Sequence, residues 1–281
     1  MRVRYDRPAS ELAELVTGYA IYAADAPAPM INWYLPAPAM ISVLLDAGPV
    51  NVSVRNHHFG PLDRVSLYGP TSRAIRTVTT GGIAVGIGIS ALGWSQLIGP
   101  SAAAYHNRVV PLSSVLGNEL GSKLQFGLDA LTDDCGIKPL LDKVLVQSFR
   151  QEQPCTQKIR ALTTLSVTDG VIETKDVADR LDLKDHELRR LSTRYFGMPP
   201  KLLLRRARFL RSFIRIVLED GLTDYSRIDS SYFDSSHFLR DAGTFLGTTP
   251  RRFLMEDTTF LKASLRVRAS VLNAPTQALQ M

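Results

Sequence analysis

Two cysteines in 281 residues, Cys135 and Cys155, are too few for a disulfide framework and fit no zinc-ligand spacing, so both are read as reduced thiols. The N-terminus, Met1-Arg2-Val3-Arg4-Tyr5-Asp6-Arg7, has no apolar run behind its charges and is not read as a signal peptide. No charge falls between Val78 and Tyr105, but Gly81, Gly82, Gly86, Gly88, Gly93, Gly99 and Pro100 interrupt that stretch. A strand followed by a short helix is expected there, not a membrane span. The same glycines lack the strand-to-helix context of a phosphate loop, which excludes a dinucleotide site. His57-His58 is the one histidine pair, and adjacent strand residues face opposite ways. No further histidine and carboxylate follow at barrel-metal spacing, so no metal and no cofactor are expected. No Ser/His/Asp or Cys/His set can be assembled. The chain is therefore not read as an enzyme, and no catalytic residue is named. A cytoplasmic protein without a membrane partner is the expectation.

What is present is an uneven distribution of charge. At 45% hydrophobic and 21% charged residues, the composition is that of a soluble globular protein, long enough for two domains with cores of their own. The net charge of +6 is not spread evenly. Residues 1–154 hold 12 Lys+Arg and 12 Asp+Glu, whereas residues 155–281 hold 21 and 15 and so carry all of it. A neutral first half and a basic second half is the asymmetry expected when one domain meets phosphate.

The first half reads as short strands. Ile31–Leu35 and Met40–Leu45 are β-favouring, Val50–Asn56 alternates apolar and polar, and Val65–Tyr68 stops at Gly69-Pro70. Ile75–Thr79 and Ile83–Ile89 follow as two more strands, with Gly81-Gly82 as the turn between them. Such a series suggests an antiparallel barrel or sandwich. Over residues 113–153 leucines at 116, 120, 124, 128 and 131, then Leu140, Leu141, Val144, Leu145 and Phe149, form two amphipathic helices. They suit a second subunit or their own barrel equally well. Gln151–Gln157 is polar, contains Pro154, and reads as the linker. Trp33, Tyr34 and Trp94 are candidate linings of a ligand pocket.

The second half turns on Pro199–Leu218. Proline is tolerated in a helix's first turn. Leu202, Leu203, Phe209, Leu210, Phe213, Ile216 and Val217 make an apolar stripe, and Arg205, Arg208, Arg211 and Arg215 lie on another face. Glu219-Asp220-Gly221 is its expected end. A helix of this length spans roughly 28 Å, close to the ~34 Å between successive major-groove faces. Upstream, Thr174 is an N-cap candidate for a short helix, and Lys184–Leu191 begins a second one. Val177, Ala178, Leu181, Leu183, Leu188 and Leu191 would face in; His186, Arg189 and Arg190 would face out. Downstream the order repeats: Tyr195-Phe196-Gly197-Met198-Pro199-Pro200-Lys201 parallels Phe245-Leu246-Gly247-Thr248-Thr249-Pro250-Arg251.

At these residues the chain resembles the AraC/XylS family of transcriptional regulators. The run Tyr232–Leu254, YFDSSHFLRDAGTFLGTTPRRFL, matches the family's C-terminal signature in order and spacing, and the resemblance covers roughly residues 158–256. It departs where Ser231 replaces a glycine, where Ser226 or Arg227 replaces a small alanine, and where Ser192 and Ala242 replace aromatics. The resemblance implies an α+β chain: a β-rich, cupin-like barrel domain with two flanking helices (residues 1–153, helices about 113–153), a linker (154–157), an all-α double helix-turn-helix domain (158–256), and a C-terminal helix and tail (257–281). The cupin-like part rests on strand order and on Arg108–Gly117. By match to the family, His186, Arg189 and Arg190 would read bases in the first unit, and Ser235, Ser236 and Arg240 in the second. Lys201, Arg205 and Arg251 are candidate phosphate contacts. The implied partners are promoter double-stranded DNA and RNA polymerase, with a small-molecule effector and a homodimer as options. The alternative is a barrel-based ligand-binding protein or enzyme with a degenerate helix-turn-helix domain.

Overall fold

A computed structural model of the chain describes residues 2–150, 154–168, 173–219, 228, 232, 234–256 and 258–272, apart from the side chains of Ala26 and Pro27. The chain is α+β, with all the described strands before residue 112 and all the longer helices after it. The strands are β1 (Arg2–Asp6), β2 (Val16–Tyr34), β3 (Ala39–Leu45), β4 (Asn51–Val54), β5 (His57–Phe59), β6 (Val65–Tyr68), β7 (Ile75–Ile89) and β8 (Val109–Pro111). They form one antiparallel sheet in the order β1-β2-β7-β3-β6-β8, with β4 paired to the first part of β7 and β5 to β4.

Two expectations are corrected here. Ile75–Thr79 and Ile83–Ile89 are one strand, and Gly81-Gly82 is not a turn. Both glycines take positive φ, 105° and 98°, opposite the point where the β2 register slips between Asp25 and Met30. The pair therefore bends the strand without reversing it. Only glycine fits, since a Cβ on Gly82 would lie 2.5 Å from the Ala47 Cα. Likewise Ile31–Leu35 is not a strand of its own. Its first four residues end the 19-residue β2. Pro29 falls where β2–β7 pairing lapses, so its missing N–H breaks no ladder bond.

Period-two alternation gives the sheet two different faces. On one, Tyr19, Ile21, Ile41, Val43, Val85, Ile87 and Ile89 form a dry core. Helices α3 (Asn118–Asp129) and α4 (Ile137–Val146) close that core with Leu120, Leu124, Leu128, Ile137, Leu141 and Leu145. Their apolar stripes are thus buried on their own sheet. The stripe starting at Leu116 is broken by Gly117 (φ 72°), which separates α2 (Ser113–Leu116) from α3. After β7, Ser90 Oγ caps α1 (Ala91–Gly93) by accepting from Gly93 N at 2.9 Å, and the chain runs on as a π-turn over Trp94–Ile98.

The second half is α5 (Thr156–Val167), α6 (Thr174–Arg180), α7 (Asp185–Phe196), α8 (Pro200–Leu218), α9 (Ser235–Phe245), α10 (Pro250–Met255) and α11 (Thr259–Leu272). Helix α5 begins inside the stretch read as a linker, of which Gln151–Gln153 lie outside the described residues. Thr174 is the first residue of α6, not its cap; Glu173 occupies the cap. Helix α8 ends at Leu218 with Glu219 at its cap. Asp220, Gly221, Ser226, Arg227, Ser231 and the tail from 273 lie outside the described residues.

The two halves are fastened together. Arg160 donates to both Glu14 carboxylate oxygens (2.7–3.0 Å). The Ala74 amide donates to the Phe245 carbonyl (2.7 Å). Arg206, 7% exposed, donates from Nη1 to the carbonyls of Thr71 (2.8 Å) and Ala37 (3.2 Å). Beside it, His106 bonds Ser72 Oγ through Nε2 at 2.9 Å. Burial, and then the Arg206 and Arg73 charges, push the His106 pKa down to about 4 from 6.5. The unfolded chain then binds more protons between those values, so this histidine contributes stability above pH 6.5 that is lost as pH falls towards 4. In urea unfolding, the advantage of the wild type over His106→Asn should shrink steadily across pH 6.5 to 4. A difference constant with pH would contradict a neutral, half-buried His106.

Candidate nucleic-acid interface

The first unit is built on a core of Ile159, Leu162, Val177, Ala178, Leu188, Leu191, Phe196, Met198, Leu203 and Leu204. Leu181 and Leu183 pack against it. The α6–α7 turn passes through Asp182 in a left-handed conformation (φ 48°), which a short polar side chain tolerates. The Glu187 carboxylate accepts from the Lys184 amide (2.9 Å) and fixes the start of α7. With Leu188, Leu191 and Ser192 facing in, three- and four-residue spacing turns His186, Arg189 and Arg190 out, and all three are exposed. Ser192, standing where the family has an aromatic, is fully buried and donates to the Met198 carbonyl at 2.7 Å, clipping α7 to the turn that follows.

The second unit repeats the arrangement. Gly197 (φ 77°) follows α7 and Pro200 opens α8; Gly247 (φ 83°) follows α9 and Pro250 opens α10. Asp234 caps α9 by accepting from the His237 amide (2.8 Å), and Thr249 Oγ1 caps α10 by accepting from Arg252 N (3.3 Å). Phe238, Asp241, Ala242 and Phe245 face in, while Ser235, Ser236 and Arg240 are exposed. Lys201 and Arg251, each directly after its helix-opening proline, are exposed at equivalent places.

Arg205 is only partly exposed and is held in an ion pair. Its Nε and Nη2 donate to Asp241 Oδ1 (3.1 and 2.5 Å), while Arg208 Nη2 and the Tyr232 hydroxyl donate to Oδ2 (3.1 and 2.8 Å). Asp241 is 2% exposed, and a buried carboxylate needs this complement of donors. Burial and the Asp241 charge hold the Tyr232 phenol far above its usual pKa, hence protonated and donating. Arg211, 1% exposed, donates to the Ser166 carbonyl (3.4 Å). Arg206, Arg208 and Arg211 face inward because they join elements, which charge spacing alone does not reveal.

The sheet's second face is hollow. Ala20, Tyr22 and Ala24 of β2, Met40, Ser42 and Leu44 of β3, and Gly82, Ala84, Gly86 and Gly88 of β7 bound a cavity of about 220 Å3. Its space comes from absent side chains on β7. Its far wall is Leu210 and Ile214 of α8 with Phe260, Leu261, Ser264, Leu265 and Arg268 of α11. No acidic side chain is among the described lining residues, and burial raises the pKa of the Tyr22, Tyr34 and Tyr68 phenols, which stay neutral. Of the three aromatic residues named from sequence, Tyr34 lines this cavity. Trp33 points the other way, as its strand neighbour must, and packs on Phe253 (5.3 Å). Trp94 donates from Nε1 to the Pro100 carbonyl (2.8 Å) and borders a separate space of about 60 Å3 beside α5 and α8. The alternating glycine and alanine of Gly82–Gly88 was the signal for the hollow face; read as strand propensity alone, it passes unnoticed. His57 and His58 are exposed on β5, with His58 Nδ1 2.9 Å from Ser53 Oγ. Among the described residues no cluster of three or more His, Cys, Asp or Glu could hold a metal ion, and no helix is long and apolar enough to cross a membrane.

No protein-family model matches the chain, and no curated protein is similar to it in sequence. Among solved structures, ToxT from Vibrio cholerae O395 aligns at 14% identity with a TM-score of 0.42, covering 84% of this chain and 96% of that one. The unsaturated fatty acid-bound wild-type ToxT from Vibrio cholerae strain SCE256 gives 14% identity and 0.42, covering 84% and 94%. The AraC-like transcriptional activator CuxR gives 12% and 0.25, covering 74% and 85%. At these identities and overlaps no statement about function passes from those proteins to this chain.

Removing the carboxylate at 241 strands two guanidinium groups and a phenol against α9. Asp241→Ala should lower unfolding free energy by ~3–5 kcal/mol, the range for breaking a buried ion pair. Asp241→Asn, which keeps an acceptor, should cost less. Urea unfolding measures both, and an Asp241→Ala protein as stable as wild type would refute a structural ion cluster.

Proposed function

We propose that the chain is a sequence-specific DNA-binding transcriptional regulator of the AraC/XylS type. Its two helix-turn-helix units would read successive major-groove faces of promoter DNA, and a small molecule held by the N-terminal half would modulate it. The observation that carries this reading is the structural repeat. Each unit has a capped helix, a left-handed glycine, a proline-opened helix and exposed side chains at the family's base-reading positions. In α7 these are His186, Arg189 and Arg190; in α9 they are Ser235, Ser236 and Arg240. Arginine can grip guanine O6 and N7 with two hydrogen bonds, and serine bonds either donors or acceptors on base edges. Lys201 and Arg251 fit phosphate contacts that fix register without reading sequence. RNA polymerase is the further partner such a regulator acts on. For the effector, the cavity supports a predominantly apolar molecule with a hydrogen-bonding group, neutral or anionic, since no acid among the described lining residues is there to hold a cation. A dimer through the stripes of α3 and α4 is not part of the reading, because those stripes are buried on the sheet.

Selection of genomic DNA fragments by the purified protein at two salt concentrations tests this directly. Two half-sites about one helical turn apart are expected. Arg189→Ala should then relax one half-site and Arg240→Ala the other, each by ~1–3 kcal/mol, or roughly 5- to 150-fold. Lys201→Ala should weaken all sequences alike and reduce the salt dependence. Salt-sensitive binding without any enriched motif would overturn the reading in favour of a ligand-binding protein with a degenerate helical domain.

A further inference from the structure

We propose that the cavity governs the second helix-turn-helix unit and not the first, with α11 as the transmitting element. This rests on the reading of the cavity as a ligand site and adds where its occupancy is felt. The helical wall is not neutral ground between the units. Leu210, Ile214, Leu261 and Leu265 all belong to the core that packs Phe238, Phe245 and Phe253 of the second unit. Among the described residues, none of α5, α6 or α7, and none from the core of the first unit, lines the cavity. The first unit is tied to the strand-rich half elsewhere, by the Glu14–Arg160 ion pair and by Gly197, where an added Cβ would lie 3.2 Å from the Ala102 carbonyl.

Helix α11 is held to the sheet by contacts a ligand can change. The Phe260 ring lies 4.8 Å from that of Tyr22 and 5.7 Å from that of Tyr34, and all three line the cavity. The Tyr22 and Ser264 hydroxyls are 3.4 Å apart, and the Arg268 guanidinium stands 5.4 Å from the centre of the Tyr5 ring. Only residues 256–258 separate α11 from α10, whose Phe253 is buried in the second unit. A predominantly apolar molecule filling the hollow supplies packing partners to Phe260, Leu261 and Leu265, fixes α11 on the sheet, and so steadies α10 and α9. Because coupling is reciprocal, DNA engaged by α9 must tighten the same molecule in return.

The test uses the full chain, the selected two-half-site DNA, and N-phenyl-1-naphthylamine as a neutral, apolar, fluorescent probe. Phe260→Ala should weaken protection of the second half-site in footprinting by about tenfold, within the range usual for coupled sites. The first half-site should stay unchanged, and Phe260→Leu should restore most of the loss. Hydrogen exchange should quicken in α9–α11 of Phe260→Ala and not in α5–α7. Equal loss at both half-sites, or at neither, overturns the proposal. In the wild type, the probe should slow exchange in α9–α11; binding that slows α5–α7 equally, or the sheet alone, also overturns it. A probe that does not bind counts against the ligand site, and the Phe260 variants then decide the coupling on their own.

Discussion

A cation on the buried side of a helix cannot be kept unless it finds an acceptor. Helix α8 is buried along most of its length and, before the half-buried Arg215 of its last turn, carries arginines at 205, 206, 208 and 211. Their acceptors lie in three different parts of the molecule. Arg211 reaches the Ser166 carbonyl at the end of α5 in the first unit, Arg205 and Arg208 reach Asp241 in the second, and Arg206 reaches the Ala37 and Thr71 carbonyls of the strand-rich half. Leaving Arg206, Arg208 or Arg211 unpaired would cost on the order of several kcal/mol, and Arg205, whose side chain is 37% exposed, less. The need to satisfy these cations therefore sets where both units and the sheet sit around one helix. The two halves of the chain accordingly share an interface of fixed polar geometry, unlike domains on a free linker.

A second constraint acts by omission. Three adjacent strands place large β-branched and aromatic residues on the core face, as packing requires, but β7 places glycine or alanine at every cavity-facing position from 82 to 88. Glycine within a strand weakens it and contributes no packing. Here the strand is kept by its other face, where Ile83, Val85, Ile87 and Ile89 pack and pair with β2 and β3. The glycines also stand under close neighbours. A Cβ on Gly86 would lie 2.8 Å from Met40 Sδ, and one on Gly88 would lie 2.1 Å from Thr17 Oγ1. The hollow is therefore a property of the sheet's register, and its far side is left for α8 and α11 to close.

How much of this the sequence disclosed follows from the range of the forces involved. The repeat of α7–α8 in α9–α10 was legible because caps, prolines and left-handed glycines act within a few residues, and the helical periods of the apolar positions agree with them. Val65–Tyr68 and the core of Met40–Leu45 were legible for the same local reason. Gly81-Gly82 was misread because a glycine pair with positive φ serves a bend as well as a turn, and only pairing with β2 distinguishes the two. The ion pair of Arg205 was not legible because its partner lies 36 residues away on another helix. Trp33 and Tyr34 were taken together although a strand separates neighbours onto opposite faces. The cavity wall on α11 could not be read at all, since it depends on how the last helix returns to the first strands.

The two units are alike in backbone and unlike in chemistry. The first presents one histidine and two arginines, and its packing is secured by apolar contacts and by Ser192, a neutral group satisfied locally. The second presents two serines and one arginine, and its charge is turned inward: Asp241, on the same helix as Arg240, draws Arg205 and Arg208 away from the surface. On the proposed reading, fewer charged groups on the DNA-facing side would leave that unit less binding free energy in its own right, and more dependence on how α9 is presented. A reader of that kind responds to small changes in its support, whereas a unit anchored by several charge-assisted contacts does not. The same asymmetry appears at the cavity, which meets the core of the second unit and not that of the first. If the units read DNA as proposed, the weaker reader and the contact with the hollow fall in one unit, which is where a modulating ligand would have the most leverage per unit of coupling free energy.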